Sequence, residues 1–547
     1  MRYDAAILVG LLVAAPAPAA PVGPAPYAVS GYWMFGRAET GQWAPALDRV
    51  RNLGADTVVQ FGPVLRHLSD EERTEMDRDP AWDVGEVSLL QATVEQMRTL
   101  DEHNVLWRVF VLSSRESYGP ALVVRPELDR CFEIADSLIW RLILPSEAPT
   151  DRERDVTAGG EYDVVFIRGH RWDSVAELLD EAGTRDMRVY VGMPCPPSNP
   201  QYPWDPWLEM MPDMVEVLRR VLQDYSQRLG DKPAFAGVYQ SREIPVNARP
   251  LAAVLEAYRQ MHPVVRAALP DKAILISPYW DARIKDGRDG STPEDIREGI
   301  RQIGRCDVDT IAPQDSRGTG KVGLFWPHQA NEPVDRRVLP VVGEGTYAEA
   351  YRANTRAFYK AARLGVQDLK RDDGITVQLW ANIEAFEPGV GEPCGSFTDC
   401  QRTTKERLDQ AVMFAGTAPS KLISYMYDSL YTCEAGHELS LADEIAADRR
   451  RPIVADAAYD KQEGAAGLCV TGYHIEGCEV ILEWEEAGRA QSFRAPAGAV
   501  ASAGPDLPPL LQTMRIPFGR RPNLLAVSVE GPSGRSRHAL YLPAGGD

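Results

Sequence analysis

Thr376-Val377-Gln378-Leu379-Trp380-Ala381-Asn382-Ile383-Glu384 alternates without a break. Gln378, Trp380, Asn382 and Glu384 fall on one side of an extended chain, and Val377, Leu379, Ala381 and Ile383 fall on the other. A period of two residues is that of a β-strand. The purely apolar side suits packing beneath helices. The polar and aromatic side suits the inside of a barrel whose upper layer meets solvent. The segment therefore predicts a strand buried on both sides, with Glu384 at the mouth of a barrel.

Seven more β-rich runs extend this reading: residues 30–35, 56–62, 188–193, 235–243, 273–281, 310–315 and 422–428. Amphipathic stretches separate them, at 43–53, 174–182, 207–229, 251–269, 293–303, 347–364 and 404–414. Ser291-Thr292-Pro293-Glu294 opens one of these with a proline at an early helical position. Eight βα units in series, 376–384 being the seventh strand, predict a (β/α)8 TIM barrel over residues 27–450. An open nucleotide-binding sheet would carry a Gly-rich loop after its first strand, and Gly31-Tyr32-Trp33-Met34-Phe35-Gly36 is not one.

A long insertion after strand 2, residues 63–170, breaks the rhythm. It holds a helical run at 89–104 and strand-like runs at 105–112 and 162–168, and it either shapes a cleft or packs as an edge subdomain. Beyond Arg449-Arg450-Arg451-Pro452 the character changes to short β runs at 469–474, 479–484, 513–517, 524–530 and 538–542. These predict an antiparallel β-sandwich over 453–547, an accessory domain.

With 547 residues, 44% of them apolar and 25% charged, the chain can bury a sizeable core. A formal charge of −20 argues against nucleic acid and against an anionic membrane surface as partners. Residues 1–20 read as a signal peptide: Arg2, an apolar Ala5–Ala15 stretch, then small residues up to Ala20. No segment has transmembrane length. The expected location is secreted, or periplasmic and envelope-bound. Of eight cysteines, Cys394 and Cys400 bracket a loop and Cys469 and Cys478 flank an expected hairpin. Both pairs are read as disulfides, while Cys131, Cys195, Cys306 and Cys433 stay unassigned. No His-x-His pair or CxxC spacing suggests a metal, and no motif calls for a cofactor.

In such barrels the chemistry sits at the C-terminal ends of the strands. Strand 4 reads Phe235-Ala236-Gly237-Val238-Tyr239-Gln240-Ser241-Arg242-Glu243, with Tyr239 and Glu243 on the face opposite Val238. The first strand offers Tyr32 and Trp33, and the fifth Ser277-Pro278-Tyr279-Trp280-Asp281. The sixth offers Gln314 and Asp315, the seventh Trp380 and Asn382, and the eighth Tyr425-Met426-Tyr427-Asp428. Aromatic faces stack on sugar rings, and amides and carboxylates bind hydroxyls. Trp33, Tyr239, Tyr279, Asp281, Gln314, Asp315, Trp380, Asn382, Tyr427 and Asp428 are therefore expected to bind a carbohydrate. Glutamates ending strands 4 and 7 suit retaining glycoside hydrolysis, in which the two carboxyls lie about 5–5.5 Å apart. Asp281 and Asp315 are alternatives if the reaction inverts, and Glu387 if the seventh strand ends later. Arg242 offers Glu243 a plain salt bridge instead.

Four motifs carry a family resemblance: Arg242-Glu243-Ile244, Ser277-Pro278-Tyr279, Ile311-Ala312-Pro313-Gln314-Asp315 and Trp380-Ala381-Asn382-Ile383-Glu384-Ala385-Phe386. Together they resemble the barrel family named domain of unknown function 4434, regarded as glycoside-hydrolase-like. After Asp315 this chain continues Ser316-Arg317-Gly318, where the family pattern places a glycine directly. The glutamate placement also resembles the clan of retaining barrel glycosidases. That likeness implies Glu243 as acid/base and Glu384 as nucleophile, acting on an extracellular or envelope polysaccharide or oligosaccharide. The competing readings are a non-catalytic carbohydrate-binding barrel and, less in keeping with the residues, a metal-dependent hydrolase.

Overall fold

The computed structural model describes residues 26–145, 160–203, 205–246, 252–389, 394, 400–460, 467–496 and 498–544. The expected signal peptide, residues 1–20, lies outside them. Eight parallel strands close into a barrel: β1 Gly31–Met34, β2 Thr57–Gln60, β3 Arg188–Gly192, β4 Phe235–Gln240, β5 Ala273–Ile276, β6 Thr310–Ile311, β7 Gln378–Glu384 and β8 Lys421–Tyr425. They follow one another in chain order, and Gly31 of β1 registers against Ile423 of β8 to close the ring. Helices return the chain after each strand, among them Trp43–Asn52, Met211–Leu229 and Thr355–Asp368. Pro293–Gly304 starts as its sequence suggested: Thr292 and Asp295 cap each other and Pro293 opens the helix.

Four strands stop three or more residues short of their expected ends, at Gln240, Ile276, Ile311 and Tyr425. Beyond those points the regular ladder gives way to turns and isolated pairings, such as Gln314 with Asn382 and Pro245–Val246 with Tyr279–Trp280. Where β2 and β3 leave the ladder their backbones converge so closely that a Cβ on Gly192 would lie 1.9 Å from the Gly62 nitrogen. Only glycine fits there.

The barrel interior is filled by Trp33, Val59, Tyr190, Tyr239, Leu275, Ala312, Trp380 and Ile423, one from each strand or the residue just after it. Large and small side chains interlock across the axis. Trp33 meets Tyr239 edge-to-face at 5.8 Å, and Tyr190 meets Trp380 at 5.5 Å. On β7 the other parity, Leu379, Ala381 and Ile383, packs in the layer beneath the helices. The strand is buried on both faces, as its alternation implied.

The insertion builds a five-stranded sheet in the order Leu65–His67, Val105–Ser113, Glu161–His170, Ser137–Pro145, Arg130–Ile134. One face (Phe110, Leu112, Trp140, Leu142, Val165, Ile167) joins the main core. The other face (Val109, Val111, Ile139, Ile143, Val164, Phe166) forms a separate core with Leu89 and Met97 of the helix Leu89–Leu100. The sheet is fastened to the helix Met211–Leu229 through buried polar contacts. Arg220 pairs with Asp129 at 2.7 Å, and the Tyr225 hydroxyl donates to Glu116 at 2.6 Å.

Burial and then the nearby charge of Asp173 push the Glu116 carboxyl up to about 8. A group whose folded pKa exceeds its unfolded one binds its proton more tightly when folded. Stability is then fullest below the ordinary glutamate range and declines as pH rises towards about 8. Going from about pH 6 to about pH 8.5 should cost about 2–3 kcal/mol through this group alone. Glu116→Gln is expected to flatten that part of the thermal-melting profile against pH. An unchanged profile would exclude Glu116 as its source.

After the helix Leu441–Asp448 come two antiparallel sheets. One comprises Ile453–Tyr459, Gly467–Tyr473, Leu511–Pro517 and Val500–Ser502. The other comprises Arg489–Ala495, Glu479–Glu486, Leu524–Gly531, Gly534–Arg535 and Leu540–Pro543. The sandwich is anchored to the barrel by Arg356 of the helix Thr355–Asp368, which donates to the Ala455 carbonyl and pairs with Asp456 at 2.5 Å.

The disulfide expectation is corrected. Cys394 is joined to Cys433, 39 residues away, so the bond ties the loop after β7 to the loop after β8. Cys400 instead faces Pro388 in the antiparallel ribbon Phe386–Pro388/Cys400–Arg402. Cys469 and Cys478 are free thiols. The expected hairpin between them is a crossing from one sheet to the other, with Cys469 in the first and Cys478 beside Gly531 of the second. Neighbouring loops of a barrel are brought together by strand order, which cysteine spacing does not encode.

Candidate active site

β4 ends at Gln240, so Glu243 projects from the turn beyond it and is exposed. Its Oε1 accepts from the Gln314 amide at 2.9 Å. Arg242 turns away, donating to the Pro196 carbonyl at 2.6 Å and to the Ser198 hydroxyl at 3.3 Å. The salt bridge that would have given Glu243 a plain structural role is not formed with its neighbour.

Glu384 is the last residue of β7 and is only 1% exposed. Its Oε2 accepts the Gly318 backbone N–H, and its main-chain carbonyl accepts from the Arg317 guanidinium. A Cβ on Gly318 would sit 2.8 Å from that Oε2 and 2.6 Å from the Phe386 ring, so the close approach needs glycine. Asp315 is held beside it. Its N–H donates to the Asn382 carbonyl at 3.0 Å, and its Oδ1 accepts the Arg317 N–H at 3.2 Å. Burial raises the pKa of both carboxyls, and the charge of Asp315 raises that of Glu384 further, while Arg317 opposes both shifts.

The two glutamates are linked through the strand ends between them. Gln314, which holds Glu243, is bridged to Asn382, two residues before Glu384. Asn382 donates to the Ser277 hydroxyl at 3.1 Å. Tyr425 ends β8 opposite Glu384, and its phenol is pushed up to about 12 by burial and then by the charges of Glu243 and Glu384. One hydroxyl thus senses both carboxylates.

The remaining expected residues separate by depth. Trp33, Tyr239 and Trp380 belong to the buried interior layer and form the floor of the mouth. Tyr279 is half-buried beneath Lys321, whose Nζ lies 4.0 Å from the ring centre, and burial and then the charge of Glu243 raise its phenol pKa. Asp281 is paired with Arg283 at 2.6 Å. Asp428 accepts the Phe35 N–H at 2.7 Å and pairs with Arg37 at 2.7 Å. Tyr427 is buried on the outer side, edge-on to Tyr32 at 5.5 Å and stacked on Tyr431 at 5.7 Å. Glu387, the alternative to Glu384, is enclosed by Arg317 at 3.3 Å, Arg337 at 2.8 Å, Arg407 at 3.2 Å and the Thr403 hydroxyl at 2.7 Å. Burial works to raise its pKa, but Arg317, Arg407 and Thr403 hold it below the ordinary range. Among the described residues no group of three or more His, Cys, Asp or Glu could hold a metal ion, and no helix is long and apolar enough to cross a membrane.

The family model described as domain of unknown function (DUF4434) matches residues 162–435. The chain belongs to this family. The DUF4434 match runs from the insertion strand Glu161–His170 through β3 to the loop beyond β8 and so contains Glu243, Gln314, Asp315, Asn382, Glu384 and Tyr425. It leaves out β1, β2 and the sandwich. No curated protein matches the chain. Among solved structures, a candidate alpha-L-fucosidase from Bacteroides thetaiotaomicron is similar at 14% identity, covering 82% of this chain and 97% of its own, with a TM-score of 0.40. A glycoside hydrolase family 5 structure from Bacteroides vulgatus is similar at 7% identity, with coverages of 90% and 89% and a TM-score of 0.35. A beta-galactosidase from the psychrophilic Marinomonas ef1 is similar at 9% identity, with coverages of 77% and 59% and a TM-score of 0.36. All three fall below a TM-score of 0.5.

Outside the DUF4434 match, β1 and β2 supply aromatic residues that the sequence reading did not single out. Phe35 is 43% exposed and meets Phe61 at 4.9 Å, and Phe61 meets the edge of Tyr425 at 5.7 Å. Both phenylalanines directly follow barrel strands, and that position was the signal available for them. Arg317 and Gly318 were missed because they lie in a loop with no periodicity.

Proposed function

We propose that this protein is a retaining glycoside hydrolase acting on an extracellular or envelope polysaccharide or oligosaccharide, with Glu243 as acid/base and Glu384 as nucleophile. The observation that carries this reading is the link between the two carboxyls at the barrel mouth: Gln314 donates to Glu243 and is bridged to Asn382, two residues before Glu384 at the end of β7. Glu243, exposed at the mouth, protonates the departing glycosidic oxygen while Glu384 attacks the anomeric carbon. Glu243 then takes a proton from the water that releases the sugar. The Gly318 N–H and Arg317 favour negative charge on Glu384. The Phe35 ring offers an apolar face to a sugar. The Cys394–Cys433 bond fits the oxidising surroundings of an exported protein.

Purified protein on a panel of aryl glycosides and polysaccharides is expected to release sugar from at least one. A 2-deoxy-2-fluoroglycoside of that sugar is expected to label Glu384, read by peptide mass spectrometry. No turnover on any substrate, or a label on another residue, would overturn the reading.

A further inference from the structure

Asp315 and Glu384 are both carboxylic acids, both buried, and side by side in a pocket whose nearest cation is Arg317. Asp315 Oδ2 has no hydrogen-bond donor among the described groups. The Arg317 Nε lies 3.6 Å away, beyond hydrogen-bond reach. A buried carboxylate oxygen without a donor is costly. Two adjacent buried negative charges are costlier still. A single proton lying between the carboxyls removes both costs at once, because the O–H of one acid donates to the bare oxygen of the other.

We propose that Asp315 is a positioning residue that shares one proton with Glu384, so that the pair carries a single negative charge. This rests on the reading of Glu384 as the attacking group. The surroundings fit one charge and not two. Arg317 is the cation in contact, and it is divided between this pair and Glu387. Arg337 and Arg407 also engage Glu387. The other titratable groups facing the pair are phenols: Tyr359 from the helix Thr355–Asp368, Tyr425 from the end of β8 and Tyr431 beyond it. With the Gly318 N–H on Glu384 Oε2, the negative charge is favoured on Glu384 and the proton on Asp315. The Asp315 O–H then fixes the orientation of the Glu384 carboxylate without neutralising it.

Infrared spectroscopy of the C=O stretch of protonated carboxyls tests this without a substrate. At neutral pH the difference spectrum of wild type minus Asp315→Asn should contain one protonated-carboxyl band. Wild type minus Glu384→Gln should contain the same single band, since Asp315 left alone beside Arg317 ionises. A band lost in Glu384→Gln but kept in Asp315→Asn, two separate bands, or none in either difference would each overturn the proposal. If Asp315→Asn does not fold, Asp315→Ser takes its place: its difference from wild type must contain the same single band, and a band that survives in it overturns the proposal. On a substrate from the glycan panel, Asp315→Asn is expected to lower kcat at least about tenfold with KM little changed, as for loss of an interaction made in the transition state. If no glycan is turned over, the hydrolase reading fails while the infrared result still decides the shared proton.

Discussion

Glu384→Gln is expected to reduce turnover of every active glycoside by roughly three to five orders of magnitude, with the protein still folded. The amide fills the space of the carboxylate and still accepts the Gly318 N–H, but it cannot form the covalent bond to the anomeric carbon. Loss of that bond affects the first chemical step whatever the leaving group. Glu243→Gln should behave differently. Its carboxyl supplies a proton, so its removal should cost roughly 10²–10⁴-fold on natural glycosides. Cost in the first step should be far smaller on nitrophenyl glycosides, whose leaving groups depart unprotonated. Paired measurements of kcat/KM on both substrate types therefore separate the two roles. Equal losses for both variants on both substrate types would refute the assignment, and undiminished turnover in Glu384→Gln would refute the mechanism itself.

The largest expected effect on stability comes from Trp380→Ala. Trp380 fills the middle of the barrel, touching Tyr190 edge-on at 5.5 Å, donating its indole N–H to Gln378 at 3.1 Å and lying 5.6 Å from the Lys421 ammonium. Replacing it by alanine removes one of the two largest pieces of an interior layer that draws one side chain from each strand. The walls are closed by backbone hydrogen bonds and cannot collapse to refill the space. The cost should be about 3–5 kcal/mol, equivalent in a chain of this size to a fall in Tm of about 3–6 °C. Trp380→Phe keeps a ring against Tyr190 and should lose much less. Calorimetry of the two variants checks both figures, and a fall of less than about 2 °C for alanine would show that the layer is not held together by this residue.

The same residue shows why so much of the barrel could be read beforehand. Trp380 and Glu384 share a face because strand geometry repeats every two residues, a rule that needs no knowledge of the rest of the chain. Applied to eight runs, it gave the strands and their order, including short β6, and on the two strands where the faces were worked out it placed Tyr239 and Trp380 on the inward side. It overreached at the rim. Beyond Gln240 the chain turns, so Glu243 owes its exposed position to that turn, and Trp280, beyond Ile276, packs outward against Tyr359 at 5.0 Å. Asp281, Tyr427 and Asp428 are polar or aromatic at strand ends as expected, but their partners Arg283, Tyr431 and Arg37 were not legible.

What the amino-acid sequence determined by itself was therefore everything governed by local period: eight strands, the helices between them, the insertion after the second strand, the sandwich at the end and the inward face of β7. What only the tertiary structure decided was every contact between loops that follow neighbouring strands. Cys394 meets Cys433 rather than Cys400, Asp315 shares a pocket with Glu384, and Gln314 reaches Glu243. Closing the barrel brings these loops together from positions far apart in the chain, where no repeat links one residue to the other.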